Sequence, residues 1–277
     1  MKKDSSPFSL KGKVVVITGG GGLLGRQHAQ AVAHHGAVPV IVDFDARRAE
    51  GAAKALETRY GTAVAMSADI TQEEQVEDCA DRLLKRFGHI DVLINNAARN
   101  PQVTAAGGMS HSSRLESFPL EDWKADIAVG LTGAFLCAKY FGRAIADNPG
   151  GGSIINISSD LGIIAPDQRL YRKKGVPAPK QAVKPVTYSV VKTGLIGLTR
   201  YLATYWAERG VRANALCPGG VENGQDPEFV RRVEDLIPLK RMARADDYQG
   251  AIVFLASDAS RYMNGAVLVI DGGRSCW

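Results

Sequence analysis

The chain has 277 residues, 45% of them hydrophobic and 23% charged, and this ordinary globular composition provides material for one large core. Its formal net charge of +5 does not indicate a nucleic-acid-binding protein, because the excess lies in one stretch, residues 167–184, and no nucleic-acid-binding motif accompanies it. No apolar run approaches the roughly 18 residues of a membrane span, and the N-terminus lacks the apolar stretch of a signal peptide, so we expect a cytoplasmic protein.

Short runs rich in Val and Ile alternate with longer helical stretches along the chain. Most runs are continuously apolar, which is typical of parallel strands covered on both faces. The predicted strands are Val14–Thr18, Val38–Asp43, Ala63–Asp69, Asp91–Asn95, Ser153–Ser158, Arg212–Leu216 and Val267–Asp271. The pattern predicts an α/β protein, a single domain over residues 1–277 with a doubly wound parallel sheet of about seven strands and helices on both faces.

The helical stretches occupy the intervals between these strands. The predicted helices are Leu24–Gly36, Asp45–Tyr60, Thr71–Phe87, Glu121–Asn148, Thr187–Arg209 and Asp246–Ser257. Thr71 and Glu74 have the spacing of a capping box, which predicts the start of the third helix. Two stretches read as irregular loops, residues 99–119 and residues 160–186, and loops of this length are usually functional.

The four cysteines form no CxxC pair, and the five histidines form no ligand spacing. Isolated thiols are typical of a reducing cytoplasm. We therefore predict neither a disulfide framework nor a metal site.

A glycine cluster, TGGGGLLG over residues 18–25, follows the first predicted strand and opens the first helix. Glycines allow a tight turn and a close approach of the backbone to a pyrophosphate, and the helix N-terminus favours an anion. This context predicts a Rossmann-type dinucleotide site.

Asp43, at the end of the second strand, lies 18 residues after Gly25. A carboxylate there accepts hydrogen bonds from ribose hydroxyls and repels a 2′-phosphate, so NAD is favoured over NADP. Two observations leave alternatives open: Asp43 could instead cap the following helix, and the nearby Arg47 and Arg48 could serve a 2′-phosphate.

Tyr188 and Lys192 are four residues apart on a predicted helix, which places both side chains on one face. They follow the strand that leads to Ser158 and Ser159, and strand ends of such a sheet are where ligands bind. A free phenol has a pKa near 10. We expect the Lys192 ammonium to lower the pKa of Tyr188 and thereby suit it to acid–base catalysis near neutral pH.

With these motifs in order, the sequence resembles the short-chain dehydrogenase/reductase family along nearly its whole length. The resemblance rests on the glycine turn, Asp43, Asp69–Ile70, Asn95–Asn96–Ala97–Ala98, Ser158–Ser159, YSVVK, and the stretches Asn214 to Gly219 and Asp271–Gly272–Gly273. It implies that Ser159 holds the substrate oxygen, that Tyr188 transfers the proton, and that Lys192 also binds the nicotinamide ribose. The cofactor contacts that it implies are Thr18, Gly19, Gly22, Leu24, Gly25, Asp43, Asp69, Ile70, Asn95, Ala97, Tyr188, Lys192, Pro218, Gly219 and Val221.

Three positions depart from the family pattern. Leu23 stands where the usual turn has a glycine, so the glycines at 19, 22 and 25 fit the spacing of the longer, sugar-nucleotide-modifying branch. Gly130 occupies the position of the family's catalytic Asn. Ser159 and Tyr188 are 29 residues apart, far more than is usual, because a basic, proline-containing insertion at about 160–186 separates them.

We therefore expect an NAD-dependent oxidoreductase that interconverts a secondary alcohol and a carbonyl on a small polar substrate of anionic or sugar-like character. The basic insertion should lie over the substrate pocket and attract anions, although its charges could equally be solvated or contact another subunit. A nucleotide-sugar epimerase or dehydratase, and a catalytically weak NAD-binding partner or sensor, are the alternatives. The family implies a homotetramer or homodimer, and Leu195, Leu198 and Leu202 could serve an interface or the core.

Overall fold

The computed structural model describes residues 6–99 and 113–277. Seven parallel strands form one sheet in the order β3-β2-β1-β4-β5-β6-β7. All seven predicted strands are confirmed, with ends that shift by at most two residues. The strands are β1 (Val14–Thr18), β2 (Val38–Asp43), β3 (Val64–Ser67), β4 (Val92–Asn95), β5 (Gly152–Ile157), β6 (Val211–Pro218) and β7 (Val267–Ile270).

Helices cover both faces of the sheet. Three of them, α4 to α6, follow one another with π-helical turns between them at residues 128–132 and 138–142, so the predicted stretch Glu121–Asn148 is helical. The helices are α1 (Leu23–His34), α2 (Ala46–Tyr60), α3 (Glu73–Phe87), α4 (Leu120–Ile127), α5 (Gly133–Cys137), α6 (Arg143–Ala146), α7 (Val186–Tyr205), α8 (Pro227–Asp235) and α9 (Gln249–Ala256).

Two hydrophobic cores lie on opposite faces of the sheet, because successive strand side chains point to opposite sides. Val14 and Val16 of β1 pack with α3, α5, α6 and α7, whereas Val15 and Ile17 pack with α1, α2 and α9. Each buried aliphatic side chain contributes about 1.5–3 kcal/mol. Leu202 belongs to the first of these cores and Leu195 to a smaller buried cluster with Ala134 and Val191. Leu198 packs against both, so these leucines serve the interior of the chain.

The predicted capping box at the start of α3 is wrong. The Thr71 hydroxyl and amide both donate to Oδ1 of Asp69, at 2.8 and 2.9 Å, and α3 begins at Glu73 without a side-chain cap. The Asp69 side chain thus forms local hydrogen bonds with Thr71, and these bonds compete with capping of the helix by Thr71.

Helix α8 was absent from the sequence prediction. Oδ1 of Asp226 accepts hydrogen bonds from the amides of Glu228 and Phe229, and Pro227 occupies the first turn. An Asp followed by Pro is a recognised helix start, so the signal was present in the sequence.

The structure describes the second of the two predicted loops fully and the first only in part. Most of the first, residues 100–112, lies outside the described residues. The insertion at 160–186 forms short 3-10 turns and packs against α8, where Leu170 joins Val233 in a small core and the rings of Tyr171 and Phe229 lie 5.5 Å apart. Within the part of the chain that is described, no helix combines the length and apolarity that a membrane crossing needs.

Candidate active site

The glycine turn connects β1 to α1 at the carboxyl edge of the sheet. Gly19 has a φ of 61°, which favours glycine. A Cβ on Gly25 would overlap the carbonyl oxygen of Gly19 and lie 2.7 Å from Cα of Gly20. Gly22 is the N-cap of α1 and offers no capping side chain, so the first-turn amides of the helix are left to another acceptor. This cradle fits the pyrophosphate of a dinucleotide.

Asp43 is buried beside this turn. Its Oδ2 accepts a hydrogen bond from the amide of Gly21 at 3.1 Å, and its Oδ1 accepts one from Asp45 at 3.2 Å. Helix α2 is capped by Asp45, whose Oδ1 accepts from the amides of Arg47 and Arg48. The interpretation of Asp43 as the helix cap is therefore wrong, and its carboxylate is held against the glycine turn instead.

Thr18 joins the ends of β1 and β4. Its Oγ1 accepts hydrogen bonds from the amides of Asn96 and Ala97, at 3.0 and 3.1 Å. The side chain of Asn95 points into the core and donates to Oδ1 of Asn156 at 2.8 Å. The backbone of residues 95–97 thus borders the glycine turn, whereas the Asn95 side chain is part of a buried polar network.

Asp69 and Ile70 follow β3, the edge strand of the sheet, and neither is among the residues that line the cavity at the ends of β5 and β6. Asp69 is engaged by Thr71. Ile70 is buried against Gly133 of α5.

A cavity of about 320 Å³ extends along the carboxyl ends of β5 and β6. It brings together residues far apart in the chain that the sequence analysis singled out, namely Leu24, Ser159, Tyr188, Lys192, Pro218, Gly219 and Val221. Leu23, which replaces a glycine of the usual turn, also lines it. The cavity therefore gathers the three predicted catalytic residues and the segment after β6. The glycine turn and Asp43 lie at the same carboxyl edge of the sheet.

Ser159 is tied into a buried network at the end of β5. Its hydroxyl donates to Oδ1 of Asp160 at 2.8 Å, and its oxygen accepts from the amide of Leu161 at 3.2 Å. Oδ2 of Asp160 accepts from Arg274 at 2.9 Å, and both of these charged side chains are buried. Ser159 also forms a hydrogen bond with Tyr188, and both side chains line the cavity.

Lys192 is buried, and its Nζ donates to the carbonyl oxygen of Ile157 at 2.9 Å. Burial lowers the pKa of Lys192 to about 8. Its Nζ lies 5.8 Å from the centre of the Tyr188 ring. Burial raises the pKa of Tyr188, while its hydrogen bond with Ser159 lowers it. The expected lowering of the Tyr188 pKa by Lys192 is therefore not met, since desolvation of the phenol dominates.

A model of the enoyl-(acyl carrier protein) reductase family matches residues 22–275 of this chain. The chain belongs to the short-chain dehydrogenase/reductase family. Among short-chain dehydrogenases, D-threitol dehydrogenase of Mycolicibacterium smegmatis is 34% identical over 271 residues, which cover 96% of this chain and 94% of that protein. The 2-dehydro-3-deoxy-D-gluconate 5-dehydrogenase of Bacillus subtilis is 32% identical and covers 96% of each chain.

A solved dehydrogenase structure has the same fold. The crystal structure of a gluconate 5-dehydrogenase from Burkholderia cenocepacia, in complex with NADP and tartrate, superposes with a TM-score of 0.84 at 29% identity and covers 98% of both chains. The chain is thus an NAD(P)-dependent dehydrogenase or reductase that interconverts an alcohol and a carbonyl. Membership of this enzyme class disfavours a protein that serves only as an NAD-binding partner or sensor.

The structure shows what occupies two of the three positions at which the sequence departs from the family pattern. Gly130 lies in the first π-helical turn, buried against Val191. Together with Tyr188 and Lys192 they border a pocket of about 10 Å³, room for about one water molecule. The long interval between Ser159 and Tyr188 is occupied by the insertion, which contributes Leu170, Tyr171 and Lys184 to the wall of the large cavity.

Sequence reasoning missed Asp160 and Arg274 as site residues. They are 114 positions apart, and nothing local to either one indicates the pair. Asp160 directly follows Ser159, which is the one sequence signal that could have drawn attention to it.

Proposed function

We propose that the chain oxidises a secondary alcohol on a small, polar, sugar-like substrate with NAD, and that Tyr188 transfers the proton. The observation that supports this most directly is the placement of Ser159, Tyr188 and Lys192 on one cavity, beside the segment Pro218–Val221. All of these parts are proposed to belong to one catalytic domain, residues 1–277.

In this mechanism the chain binds the alcohol and removes its proton, and a bound nicotinamide supplies the hydride chemistry. The Ser159 hydroxyl, which donates to Asp160, would turn its proton to the substrate oxygen and hold it. Tyr188, with its oxygen next to Ser159, would act as a phenolate that the positive charges of Lys192 and of the nicotinamide stabilise, and it would accept the single proton of the substrate hydroxyl as the alcohol becomes a carbonyl. Lys192, fixed by the Ile157 carbonyl, would also bind the nicotinamide ribose.

NAD is proposed rather than NADP because of Asp43. A 2′-phosphate at the end of β2 would lie against a buried carboxylate that already accepts two backbone amides, and like charges at this range repel. Arg47 and Arg48 are exposed on α2, and Arg48 packs against Gly21 of the glycine turn, so an arginine contact to a 2′-phosphate is the alternative that the assay tests. The gluconate 5-dehydrogenase from Burkholderia cenocepacia was crystallised with NADP, so both cofactors belong in the assay.

The proposed substrates are polyols and sugar acids, which are the classes named for the dehydrogenases of Mycolicibacterium smegmatis and Bacillus subtilis. The test is a panel of polyols, sugar acids and hydroxy acids with NAD or NADP, followed through absorbance of the reduced cofactor. Steady NADH formation that Tyr188→Phe reduces at least about 100-fold is the expected result, with the exposed Tyr201→Phe as control. Cofactor-neutral conversion of a nucleotide sugar, without net NADH, would instead favour the epimerase alternative.

We further propose a homotetramer or homodimer. Tyr201 and Tyr205 on α7 are stacked on each other, and each is 61% exposed. Exposed aromatic pairs are enriched in protein interfaces. Sedimentation velocity at several concentrations tests this, and a monomer throughout would contradict it.

A further inference from the structure

Tyr188 lies in the first turn of its helix. It is the third residue of α7, which begins at Val186, and the N-cap residue Pro185 provides no side-chain hydrogen bond. The ends of helices fray more readily than their interiors, and a capping side chain usually satisfies free amides of the first turn. The position of the Tyr188 backbone therefore depends on contacts between this turn and neighbouring elements.

Thr187 makes such a contact. Its side chain is buried, and its hydroxyl donates to Oδ2 of Asp126 in α4 at 2.5 Å. Asp126 is buried too. Among the hydrogen bonds of the described residues, this is the one that joins α4 or the following π-helical turn to α7. Hydrogen bonds from a hydroxyl to a carboxylate are short and strong, so this bond fixes the start of α7 to α4 directly beside Tyr188.

Arg99 holds the other oxygen of the Asp126 carboxylate. Its Nη1 donates to Oδ1 of Asp126 at 3.0 Å, and its Nη2 donates to Oδ1 of Asp122 at 2.8 Å. A cationic partner offsets the cost of burying a carboxylate. Both oxygens of Asp126 thus accept hydrogen bonds, and the carboxylate is fixed in one orientation. Arg99 also closely follows the segment that borders the glycine turn, so these contacts link that segment to α7.

Gly130, one helical turn after Asp126, contributes no side chain to the junction between α4 and α7. A Cβ at this position would overlap a side chain of α7. Gly130, Asp126 and Thr187 border the same pocket of about 10 Å³ as Tyr188 and Lys192. The bond between Thr187 and Asp126 therefore lies in a wall that the two predicted acid–base residues share.

We propose that Asp126 is a positioning residue for Tyr188: through Thr187 it fixes the first turn of α7, so that the phenol stays beside Ser159 while the alcohol proton is transferred. This inference rests on the proposed proton transfer to Tyr188. A displacement of about 1 Å at a reacting group can reduce a rate about 100-fold. The contribution of the junction should therefore appear in kcat.

The direct test is Thr187→Val, which keeps the shape of the side chain and removes its hydrogen-bond donor. For the alcohol that the unaltered enzyme oxidises fastest, kcat should fall about 10- to 100-fold, while KM and the Kd for NAD stay close to their original values. Thr187→Ser keeps the hydroxyl and should retain most of kcat.

A kinetic isotope effect separates positioning from a loss of folded enzyme. The primary deuterium isotope effect on kcat, measured with the alcohol deuterated at the oxidised carbon, should rise in Thr187→Val, because the chemical step then limits turnover instead of product release. A smaller amount of folded enzyme would lower kcat and leave this isotope effect unchanged.

Asp126→Asn is the second variant. It keeps the size of the side chain and weakens the acceptor, so kcat and the isotope effect should change in the same direction. The double variant with Thr187→Val should be little worse than the more severe single variant, because both substitutions act on one bond. Asp122→Asn is the matched control: it removes the other partner of Arg99, which is 42% exposed, and should leave kcat and the isotope effect unchanged.

The outcomes separate this inference from the proposed function. If Thr187→Val retains kcat, or if its effect and that of Asp126→Asn multiply, Asp126 does not act through Thr187 and the inference is overturned. A rise in KM or in the Kd for NAD at unchanged kcat overturns it too, since the pair would then shape a binding site. If no alcohol is oxidised by the unaltered enzyme, or Tyr188→Phe retains activity, it is the proposed function that fails, and the inference fails with it.

Discussion

Gly130 and Val191 share one volume between the first π-helical turn and α7. A Cβ on Gly130 would overlap Cγ1 of Val191 and lie 3.1 Å from its Cγ2. The family resemblance places Asn at position 130, and here the room for that side chain is filled by Val191. Gly at position 130 and the branched Val191 beside Lys192 therefore belong to one packing arrangement.

This arrangement predicts a compensating pair of substitutions. Gly130→Asn alone should destabilise the chain by about 1–3 kcal/mol, the usual effect of overpacking a core. Val191→Ala combined with Gly130→Asn should recover most of the loss, because the Cγ atoms that clash are removed. Urea unfolding of the single and double variants measures both effects.

A matched control is Gly51→Ala, in the interior of α2. A Cβ there meets no atom within 4 Å, so a small gain in stability is expected from helix propensity, about 0.5–1 kcal/mol. If Gly130→Asn unfolds at the same urea concentration as the unaltered chain, the two residues do not compete for space.

A second prediction concerns the buried Asp160–Arg274 pair. Asp160→Asn leaves the Arg274 guanidinium without its buried partner and should destabilise the chain by about 3–5 kcal/mol. It should also reduce kcat more than KM, because the carboxylate that accepts from the Ser159 hydroxyl is replaced by a neutral and weaker amide acceptor. Combining Asp160→Asn with Arg274→Gln should restore part of the stability without restoring kcat.

The exposed Arg209–Asp147 pair provides the comparison, since its side chains are 53% and 59% exposed. Asp147→Asn is expected to change the free energy of unfolding by less than about 1 kcal/mol. Equal effects of the two Asp→Asn variants on stability and on kcat would show that Asp160 has no special role.

The third prediction is a pH dependence of substrate preference. The pKa of Lys184 is lowered to about 8, so its ammonium is present below that pH and lost above it. The ratio of kcat/KM for acid over polyol should therefore fall between pH 7 and pH 9. Lys192, whose pKa is also lowered to about 8, lines the same cavity, so a variant at position 184 is needed to separate the two lysines.

Lys184→Arg is the control, because a guanidinium stays charged throughout this range. Its ratio should be flat from pH 7 to pH 9. A parallel fall in the Arg variant would assign the pH dependence to another group.

The fourth prediction concerns cofactor choice. Asp43→Asn removes the charge that opposes a 2′-phosphate, and the ratio of kcat/KM for NADP over NAD should rise by about tenfold or more. Asp45→Asn, two residues along, should cost about 1 kcal/mol or less of stability as the cap of α2 and leave that ratio unchanged. An unchanged ratio in Asp43→Asn would remove the basis for NAD.

Local patterns in the sequence determined the seven strands, most of the helices, the glycine turn and the placement of Tyr188 four residues before Lys192. These features depend on hydrophobic periodicity and on motifs a few residues long, which can be read without knowing the chain's path. Only the tertiary structure decided that Val191 fills the space beside Gly130 and that Arg274 pairs with Asp160. It also decided that Lys184, of the six basic residues in the insertion at about 160–186, lines the cavity. These contacts form between elements that are distant in the sequence and adjacent at the sheet edge. Hydrophobic periodicity and motif spacing are local, so they do not predict which distant side chains come into contact.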